Sequence, residues 1–227
     1  MKPYCLVTGG AGFIGSHVVD ELIQRKKNVI AFDDLSGGFR ENVNPRAVFV
    51  KGDVSNRRHV DRLFATYRIT HVYHLAAYAA ENLSHFIKAF NYRNNLLASV
   101  HLINNAVNHG VRCFVFTSSI AVYGDARPPF GEQGVPVPAD SYGIAKYATE
   151  QELRITQKLF GLDHVIFRPH NVYGERQNIG DKYRNVIGIF MNQVLRGEPI
   201  TIFGDGEQVR AFTYIGDIAG PIAESAF

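Results

Sequence analysis

The sequence has little of several features that would commit a protein to a particular setting. Among 227 residues there are only two cysteines, Cys5 and Cys113, and the formal net charge is +3. Both cysteines fall in apolar stretches that predict buried strands, so we expect reduced core residues of a cytoplasmic protein and no disulfide. A net charge of this size does not by itself indicate binding to nucleic acid or to a membrane surface.

Long apolar runs and metal-binding patterns are also missing. No stretch of about eighteen apolar residues occurs, so we expect no segment that spans a bilayer. The chain enters its first predicted strand at once, which predicts no signal peptide. The nine histidines form no H-x-x-x-H pair with acidic companions, so we expect no metal site. The composition, 46% hydrophobic and 20% charged, is ordinary for a globular protein of one domain and part of a second.

Residues 4–15, YCLVTGGAGFIG, carry the most informative pattern. An apolar run at 4–7 predicts a buried strand, and apolar residues at helical spacing follow at 13–22. Between them Gly9, Gly12 and Gly15 satisfy a glycine-rich dinucleotide pattern. Glycine is needed because a side chain would hold a pyrophosphate away from the N–H groups at the helix start. The pattern predicts a dinucleotide site, the alternative being a turn with only a structural role.

A carboxylate follows at the expected distance. The predicted strand at 28–32 ends at Asp33, about twenty residues past the glycines. A carboxylate there accepts from both ribose hydroxyls of NAD and repels a 2′-phosphate, which favours NAD over NADP. The alternative is that Asp33 caps the following turn, although Asp34 is better placed to do so.

Strands and helices alternate along the rest of the chain. We predict strands at 47–51, 71–75, 112–117 and 164–168, and helices at 56–67, 84–108 and 142–160. Such alternation indicates an α/β fold with a Rossmann-type, doubly wound parallel sheet covered on both faces. Ligands on these sheets bind beyond the carboxyl ends of the strands, which is where the motifs lie.

Tyr142 and Lys146 form a second pattern, Tyr-x-x-x-Lys, on a predicted helix. Residues at i and i+4 share one helix face. An ammonium beside a phenol, with a positive nicotinamide ring nearby, lowers the phenol pKa and makes a base for a sugar hydroxyl. Ser119 could hydrogen-bond the same hydroxyl. The alternative, a pair on a helix surface, is disfavoured because the helix follows the loop after FTSSIAVYG, so that the pair occurs together with Ser119.

In combination, these motifs resemble the extended short-chain dehydrogenase/reductases, and among them the nucleotide-sugar epimerases of the UDP-glucose 4-epimerase type. The resemblance covers essentially the whole chain. It is carried by TGGAGFIGSH, Asp33, GDV at 52–54, HLAA at 74–77, SSIAVYG at 118–124, YGIAK at 142–146 and RPHNVYG at 168–174. It implies a tightly held NAD and a nucleotide-diphosphate sugar as substrate, a UDP-sugar in the first instance.

The resemblance also implies roles for individual residues. Catalysis falls to Ser119, Tyr142 and Lys146. Cofactor contacts fall to Gly9, Gly12, Phe13, Ile14, Gly15, Asp33, Asp53, Val54, Leu75, Ala76, Ala77, Asn95, Tyr142, Lys146 and His170. Substrate contacts fall to Ser119, Tyr142, Asn171, Asn185, Val186 and Arg210. A guanidinium suits a diphosphate because it donates in a planar fork, but for Asn185 and Arg210 the alternative is an exposed polar group.

Ile120 and Ala121 distinguish between the reactions that different members of this family catalyse. At the corresponding positions the 4,6-dehydratases carry an acidic pair, the decarboxylases that make UDP-xylose a glutamate, and the 3,5-epimerases of GDP-sugars a cysteine. Neither side chain here can exchange a proton, which favours a 4-epimerase acting through a transient 4-keto sugar. The alternatives are a 4-keto-sugar reductase, a steroid-type dehydrogenase, or an NAD-binding module with little turnover.

Relatives of this type usually continue beyond the length of this chain. We therefore expect an NAD-binding Rossmann domain at 1–171 and a partial nucleotide-sugar-binding lobe at 172–227, with the NAD site complete and the substrate site open on one side. In the family, the helix that corresponds to 84–108 helps to form a dimer. Its apolar stripe is explained by core packing or by a homodimer.

Overall fold

The secondary structure follows the alternation that the sequence predicts. The computed structural model describes residues 2–181, 186–202 and 204–227, with the backbone alone at residue 82. The elements are β1 Pro3–Thr8, α1 Phe13–Gln24, β2 Val29–Asp33, β3 Val48–Lys51, α2 Arg57–Thr66, β4 Arg68–His74, α3 Glu81–Ser84, α4 Lys88–Tyr92, α5 Ala98–Asn108, β5 Cys113–Thr117, α6 Ser141–Phe160, β6 Asp163–Phe167, β7 Asn171–Tyr173, α7 Val186–Leu195, β8 Phe212–Tyr214 and α8 Ile215–Glu224.

Six strands form one parallel sheet in the order β3-β2-β1-β4-β5-β6. The chain moves outward from β1 to β3, then crosses back to place β4 on the other side of β1. The order therefore reverses between β1 and β4, and a crevice opens there at the carboxyl ends of the strands. This topology confirms the predicted Rossmann-type fold.

Helices cover both faces of the sheet and enclose two hydrophobic cores. One core lies under α2, α5 and α6, with Leu63, Leu102 and Leu153 at its centre. The other lies under α1 and α8 and includes both cysteines. Cys5 and Cys113 are free and buried, and burial raises each thiol pKa to about 11. These cysteines are reduced core residues, as predicted.

The predicted helix at 84–108 is wrong at its start. The short α3 ends at Ser84, and a separate helix begins at Lys88, passing through a π-helical turn at Arg93–Leu97 before α5. Ser84 explains the break, because its hydroxyl donates to the carbonyl of Glu81 and accepts from the N–H of Tyr142. The turn is thereby tied to the start of α6. A π turn inside a helix is frequent near functional sites.

Beyond β6 the chain forms a small second sheet and then returns to the first core. β7 and β8 pair in parallel, with Asn171 opposite Phe212. In α8, Ile222 and Ala223 are fully buried in the core beside α1, and the carbonyl of Ala223 accepts from the Tyr73 hydroxyl. The boundary at residue 171 stays a prediction. Within the described ranges, no helix is long and apolar enough to cross a membrane.

Candidate active site

The glycine turn between β1 and α1 is packed too closely to admit side chains. Gly9 has a positive φ of 70°, and a Cβ there would lie 2.8 Å from the N atom of Ala76. A Cβ at Gly15 would lie 2.0 Å from the carbonyl oxygen of Gly9. Gly12 precedes the helix, and Phe13 and Ile14 form its first turn. The N–H groups of a first helical turn have no partner within the helix and suit an anion.

Asp33 joins the end of β2 to this turn. Its side chain is 7% exposed, Oδ2 accepts from the N–H of Ala11 at 3.0 Å, and Oδ1 accepts from the N–H of Leu35 at 2.8 Å. Burial raises the pKa of the carboxyl. Asp34 accepts from the N–H of Ser36, so both aspartates cap turns. The N–H of Gly12 also acts on this carboxylate. A carboxylate has about four acceptor sites, so capacity for a ribose hydroxyl is left.

The next two strand ends continue the same edge of the sheet. Asp53 accepts from the N–H and hydroxyl of Ser55 at 2.7 and 2.8 Å, and Val54 is buried beside it. Leu75, Ala76 and Ala77 follow β4 and are half-buried. Their backbone crosses directly over the glycine turn, because the N–H of Leu75 donates to the carbonyl of Thr8.

Asn95 supports the segment after β4. Its Oδ1 accepts from the N–H of Tyr78, and its Nδ2 donates to the carbonyl of Tyr78 and to Oδ1 of Asn91. The side chain is 1% exposed. Its contacts with the protein fix the backbone of residue 78, whereas the implied contact with the cofactor stays a prediction.

Tyr142 and Lys146 lie one turn apart on the buried face of α6. The Lys146 ammonium is 5.6 Å from the centroid of the Tyr142 ring and donates to the carbonyl of Thr117 at 2.8 Å. Burial lowers the pKa of Lys146 to about 7, and the charge of Glu150 opposes that shift. Ser119 follows β5, and its hydroxyl accepts from the N–H of Ala121 at 3.1 Å. The Thr117 hydroxyl is buried without a hydrogen-bond partner.

The residues that the resemblance gives to the substrate differ in exposure. Ser119 and Tyr142 are buried, Asn171 is half-buried and Arg210 is exposed. His170, which the resemblance gives to the cofactor, is exposed. The pairing of β7 with β8 brings Asn171 opposite Phe212, two residues from Arg210, so these two predicted contacts come close in the fold. Val186 begins α7 with 37% exposure. Asn185 lies outside the described residues.

A buried ion pair beneath the site was missed at the level of sequence. Glu150 accepts from Arg168 through both carboxylate oxygens and from the Ser118 hydroxyl at 2.6 Å. Arg168 also donates to the Tyr123 hydroxyl at 3.0 Å. The available signal was helical spacing, because Glu150 lies at i+4 from Lys146 on the same face. A charge on an otherwise buried face requires a partner.

His74 forms a second buried network next to the glycine turn. Its Nδ1 lies 2.7 Å from the Thr8 hydroxyl and its Nε2 lies 2.9 Å from the Ser99 hydroxyl. The Ser99 hydroxyl donates to the carbonyl of Asn95, so it accepts from His74, and Nε2 carries the proton. Burial lowers the pKa of His74 to about 3, and the ring is neutral. His74 is packed at the end of β4.

The geometry is therefore that of a dinucleotide-binding enzyme. The glycine turn and the acceptors of Asp33 fit NAD, and no group of three metal-binding side chains occurs among the described residues. This arrangement defines an extended short-chain dehydrogenase/reductase. Residues 5–222 match the family described as NAD dependent epimerase/dehydratase, and the chain belongs to it. The resemblance inferred from the sequence is confirmed.

Comparison with known proteins gives the same answer at the level of sequence and structure. The chain is 36% identical over 220 residues to the UDP-glucose 4-epimerase of Mycolicibacterium smegmatis, covering 94% of this chain and 70% of that protein. The solved UDP-glucose 4-epimerase of Thermotoga maritima with UDP-glucose is 40% identical, with a TM-score of 0.91 over 95% of this chain and 71% of that one. The Thermus thermophilus UDP-glucose 4-epimerase with NAD is 36% identical, with a TM-score of 0.92 over 99% and 74%.

Proposed function

We propose that this protein is an NAD-dependent epimerase of UDP-sugars that inverts C4 through a transient 4-keto sugar. The observation that carries the proposal is the buried pair Tyr142 and Lys146 on α6. Lys146 donates to the carbonyl of Thr117, two residues before Ser119, and no ionisable side chain stands at 120 or 121. The two solved relatives, with UDP-glucose and with NAD respectively, support the same substrate and cofactor classes.

The chain contributes proton transfer and positioning. The chemistry that NAD supplies when bound is reversible hydride transfer at the sugar carbon. Tyr142 takes the proton from the O4 hydroxyl and returns it after the sugar has turned. The Lys146 ammonium lies 5.6 Å from the centroid of the Tyr142 ring, where a positive charge favours the phenolate that acts as the base. Ser119 hydrogen-bonds the same oxygen and holds it against the base.

Epimerisation needs no further acid or base, and this site offers none in the turn after Ser119. Ile120 has no ionisable group, and Ala121 is 8% exposed with its N–H committed to Ser119. Elimination of water or loss of a carboxylate needs an additional proton-transfer group or an electrostatic partner at this turn. The turn therefore supports oxidation and reduction of one carbinol and disfavours dehydration.

The predicted diphosphate contacts support a nucleotide sugar over a steroid. Arg210 is exposed. Burial raises the pKa of the Glu81 carboxyl on α3, and the positive charge of Arg210 partly lowers it again. This interaction places Arg210 within electrostatic reach of α3. A planar guanidinium placed there matches a diphosphate.

The proposal is tested by incubating the purified protein with UDP-glucose, UDP-galactose, their N-acetyl forms, and dTDP- and GDP-glucose. We expect interconversion of the C4 epimers of a UDP-sugar, resolved by chromatography, with no net rise in NADH absorbance. Stoichiometric NADH formation would identify a dehydrogenase. A stable 4-keto product would identify an incomplete reaction such as that of a dehydratase.

We further propose that the protein forms a homodimer through α5 and α6 and the turn between α4 and α5. Leu97, Ile155 and Leu159 are 47%, 51% and 68% exposed on these elements, and a partner subunit would cover this apolar surface. Light scattering should give twice the monomer mass, 25.3 kDa, and the variant I155E/L159E should give the monomer. A monomeric unmodified protein would exclude the dimer.

A cytoplasmic location is part of the proposal. Its support is that Cys5 and Cys113 persist as free, buried thiols, which is typical of proteins in reducing compartments. Fractionation of cells that express the tagged protein should recover it with the cytoplasmic fraction.

A further inference from the structure

Glu150 is the most deeply buried charge near the catalytic pair. Its side chain has no exposed surface, and both carboxylate oxygens accept hydrogen bonds. Oε1 accepts from the Ser118 hydroxyl at 2.6 Å and from Nε of Arg168 at 2.9 Å, and Oε2 accepts from Nη2 of Arg168 at 2.5 Å. The guanidinium also lies 4.9 Å from the centroid of the Tyr123 ring. Glu150 and Arg168 therefore form a bidentate ion pair, to which the Ser118 hydroxyl adds a third hydrogen bond.

The pair joins three segments that carry site residues. Glu150 lies one turn beyond Lys146 and two turns beyond Tyr142 on α6. Ser118 immediately precedes Ser119, and Arg168 lies two residues before His170. The same segments are linked through the backbone, because the N–H of Ser118 donates to the carbonyl of Phe167 and the N–H of Ile120 to that of Pro169. One carboxylate therefore sets the distance between the serine turn and the Tyr–Lys helix.

Stability alone does not account for such a pair. Taking two charges out of water costs several kcal/mol for each ion, and well-packed apolar residues of similar volume are often as stable or more so. The benefit of the pair is geometric, because a planar fork bonded twice to a carboxylate admits one arrangement. It is also electrostatic, because a buried negative charge one turn from Lys146 favours the charged ammonium.

We propose that Glu150 is a positioning residue of the active site: held by Arg168, it fixes the Ser118–Ser119 turn against α6 and favours the charged form of Lys146. The inference rests on the proposed function for its activity readout. Groups that face Lys146 are Tyr142 and Glu150 on its own helix, His74 of β4, and the Phe116 ring and Thr117 carbonyl of β5. Arg154 lies 3.7 Å from Glu150 and is half-exposed.

The test compares E150Q with S118A. Gln keeps a hydrogen-bond acceptor but removes the charge, whereas Ala at 118 removes one positioning bond and leaves the charge. We expect E150Q to lower kcat roughly 10- to 100-fold, because the reacting groups are misplaced, and to leave KM little changed. We also expect it to move the alkaline limb of the kcat–pH profile to lower pH, because the charge that favours the Lys146 ammonium is lost. We expect S118A to lower kcat and leave that limb in place. E152Q, on the exposed side of the same helix, is the matched control and should behave as the unmodified protein.

A second readout does not depend on turnover. Lys146 can be titrated by NMR in protein labelled at the lysine Cε, with Lys146→Met to assign its signal. We expect a lower Lys146 pKa in E150Q and an unchanged one in S118A and E152Q. An unchanged alkaline limb and Lys146 pKa in E150Q, or an unimpaired kcat in S118A, overturns the inference. If the unmodified protein epimerises no UDP-sugar, the proposed function fails, and the Lys146 titration still decides the role of Glu150.

Discussion

Lys146 combines nearly complete burial with a positive charge, and the cost of that burial is visible in its pKa of about 7. Two neighbours and the apolar surroundings set this balance. The carbonyl of Thr117 accepts from the ammonium, Glu150 favours the charged form, and the apolar surroundings oppose it. An ammonium balanced in this way can hold the Tyr142 phenol near the protonation state that a base requires at neutral pH.

Replacing Tyr142 by Phe should leave NAD bound and reduce epimerisation by at least about 100-fold, which is the range that a positioned general base contributes. Tyr142 is the one group of the proposed triad able to take the proton. Ser119→Ala should cost less, because Ser119 orients the hydroxyl without accepting its proton. The measurement is turnover of UDP-galactose with bound NAD quantified in parallel. Undiminished turnover by Tyr142→Phe would place the base elsewhere.

His74 should make the protein less stable in mild acid. Its pKa is lowered from 6.5 to about 3 in the folded protein, because the ring is buried and the Lys146 charge is near. Between these values the unfolded chain binds a proton that the folded protein does not. The free energy of unfolding contributed by His74 is therefore complete above pH 6.5 and decreases as the pH falls toward 3.

Thermal unfolding of the unmodified protein and of His74→Asn, measured across this pH range, isolates that contribution. Asn does not titrate, so the difference in Tm between the two proteins should shrink as the pH falls from 7 to 4. A difference that is constant with pH would show that His74 is not held neutral.

At the level of elements, the glycine turn is the tightest junction between a strand and a helix at the site. Gly15→Ala would bring a methyl group to 2.0 Å from the Gly9 carbonyl oxygen, so α1 must move away from β1. We expect a loss of roughly 1–3 kcal/mol in the free energy of unfolding together with weakened NAD binding. Gly131→Ala is the control, because no atom lies within 4 Å of its added Cβ, and it should change neither quantity. Wild-type NAD affinity in Gly15→Ala would contradict the close packing.

The elements differ in how far the sequence alone could predict them. Strands β1 to β6 follow from short apolar runs between turn residues, and α1 and α6 from helical spacing, since each signal is local. The break at 85–87 was missed because it depends on Ser84 bonding to Tyr142, a contact 58 residues away. The β7–β8 pair was missed because each strand has only three residues, too few to show alternation.

The site shows the same limit. The sequence alone predicts the glycine turn, Asp33 and the Tyr–Lys pair, because the spacing of each is set by one strand or one helix. Glu150 and Arg168 are 18 positions apart and meet only because β6 lies next to β5, beneath α6. Neither residue carries a motif of its own. Charged side chains on a buried helix face indicate that a partner exists, but the fold is needed to identify it.

Over the whole molecule, the order of the strands determines where these groups meet. The reversal between β1 and β4 opens the crevice, Asp33 lies on one side of it, and Ser119, Tyr142 and Lys146 lie on the other. NAD binds across such a crevice in contact with both halves of the sheet. Its binding should therefore stabilise the fold as a unit, because a ligand that binds only the folded state adds its binding free energy to stability.

This coupling allows the role of Asp33 to be measured on the intact protein. At a free NAD concentration 100 times its Kd, the added stability is about 2.7 kcal/mol, which corresponds to a rise in Tm of roughly 5–10 °C for a protein of this size. NADP at the same concentration should give a much smaller rise, because its 2′-phosphate meets the buried Asp33 carboxylate. Asp33→Ser should reduce the difference between the Tm rises with NAD and with NADP, because it loses stabilisation by NAD and gains stabilisation by NADP.

The protein must first be freed of bound nucleotide. Asp34→Ser changes the exposed neighbouring carboxylate and is the control, which should keep the preference for NAD over NADP. Equal shifts with NAD and NADP in the unmodified protein would contradict the assignment of Asp33 to the ribose.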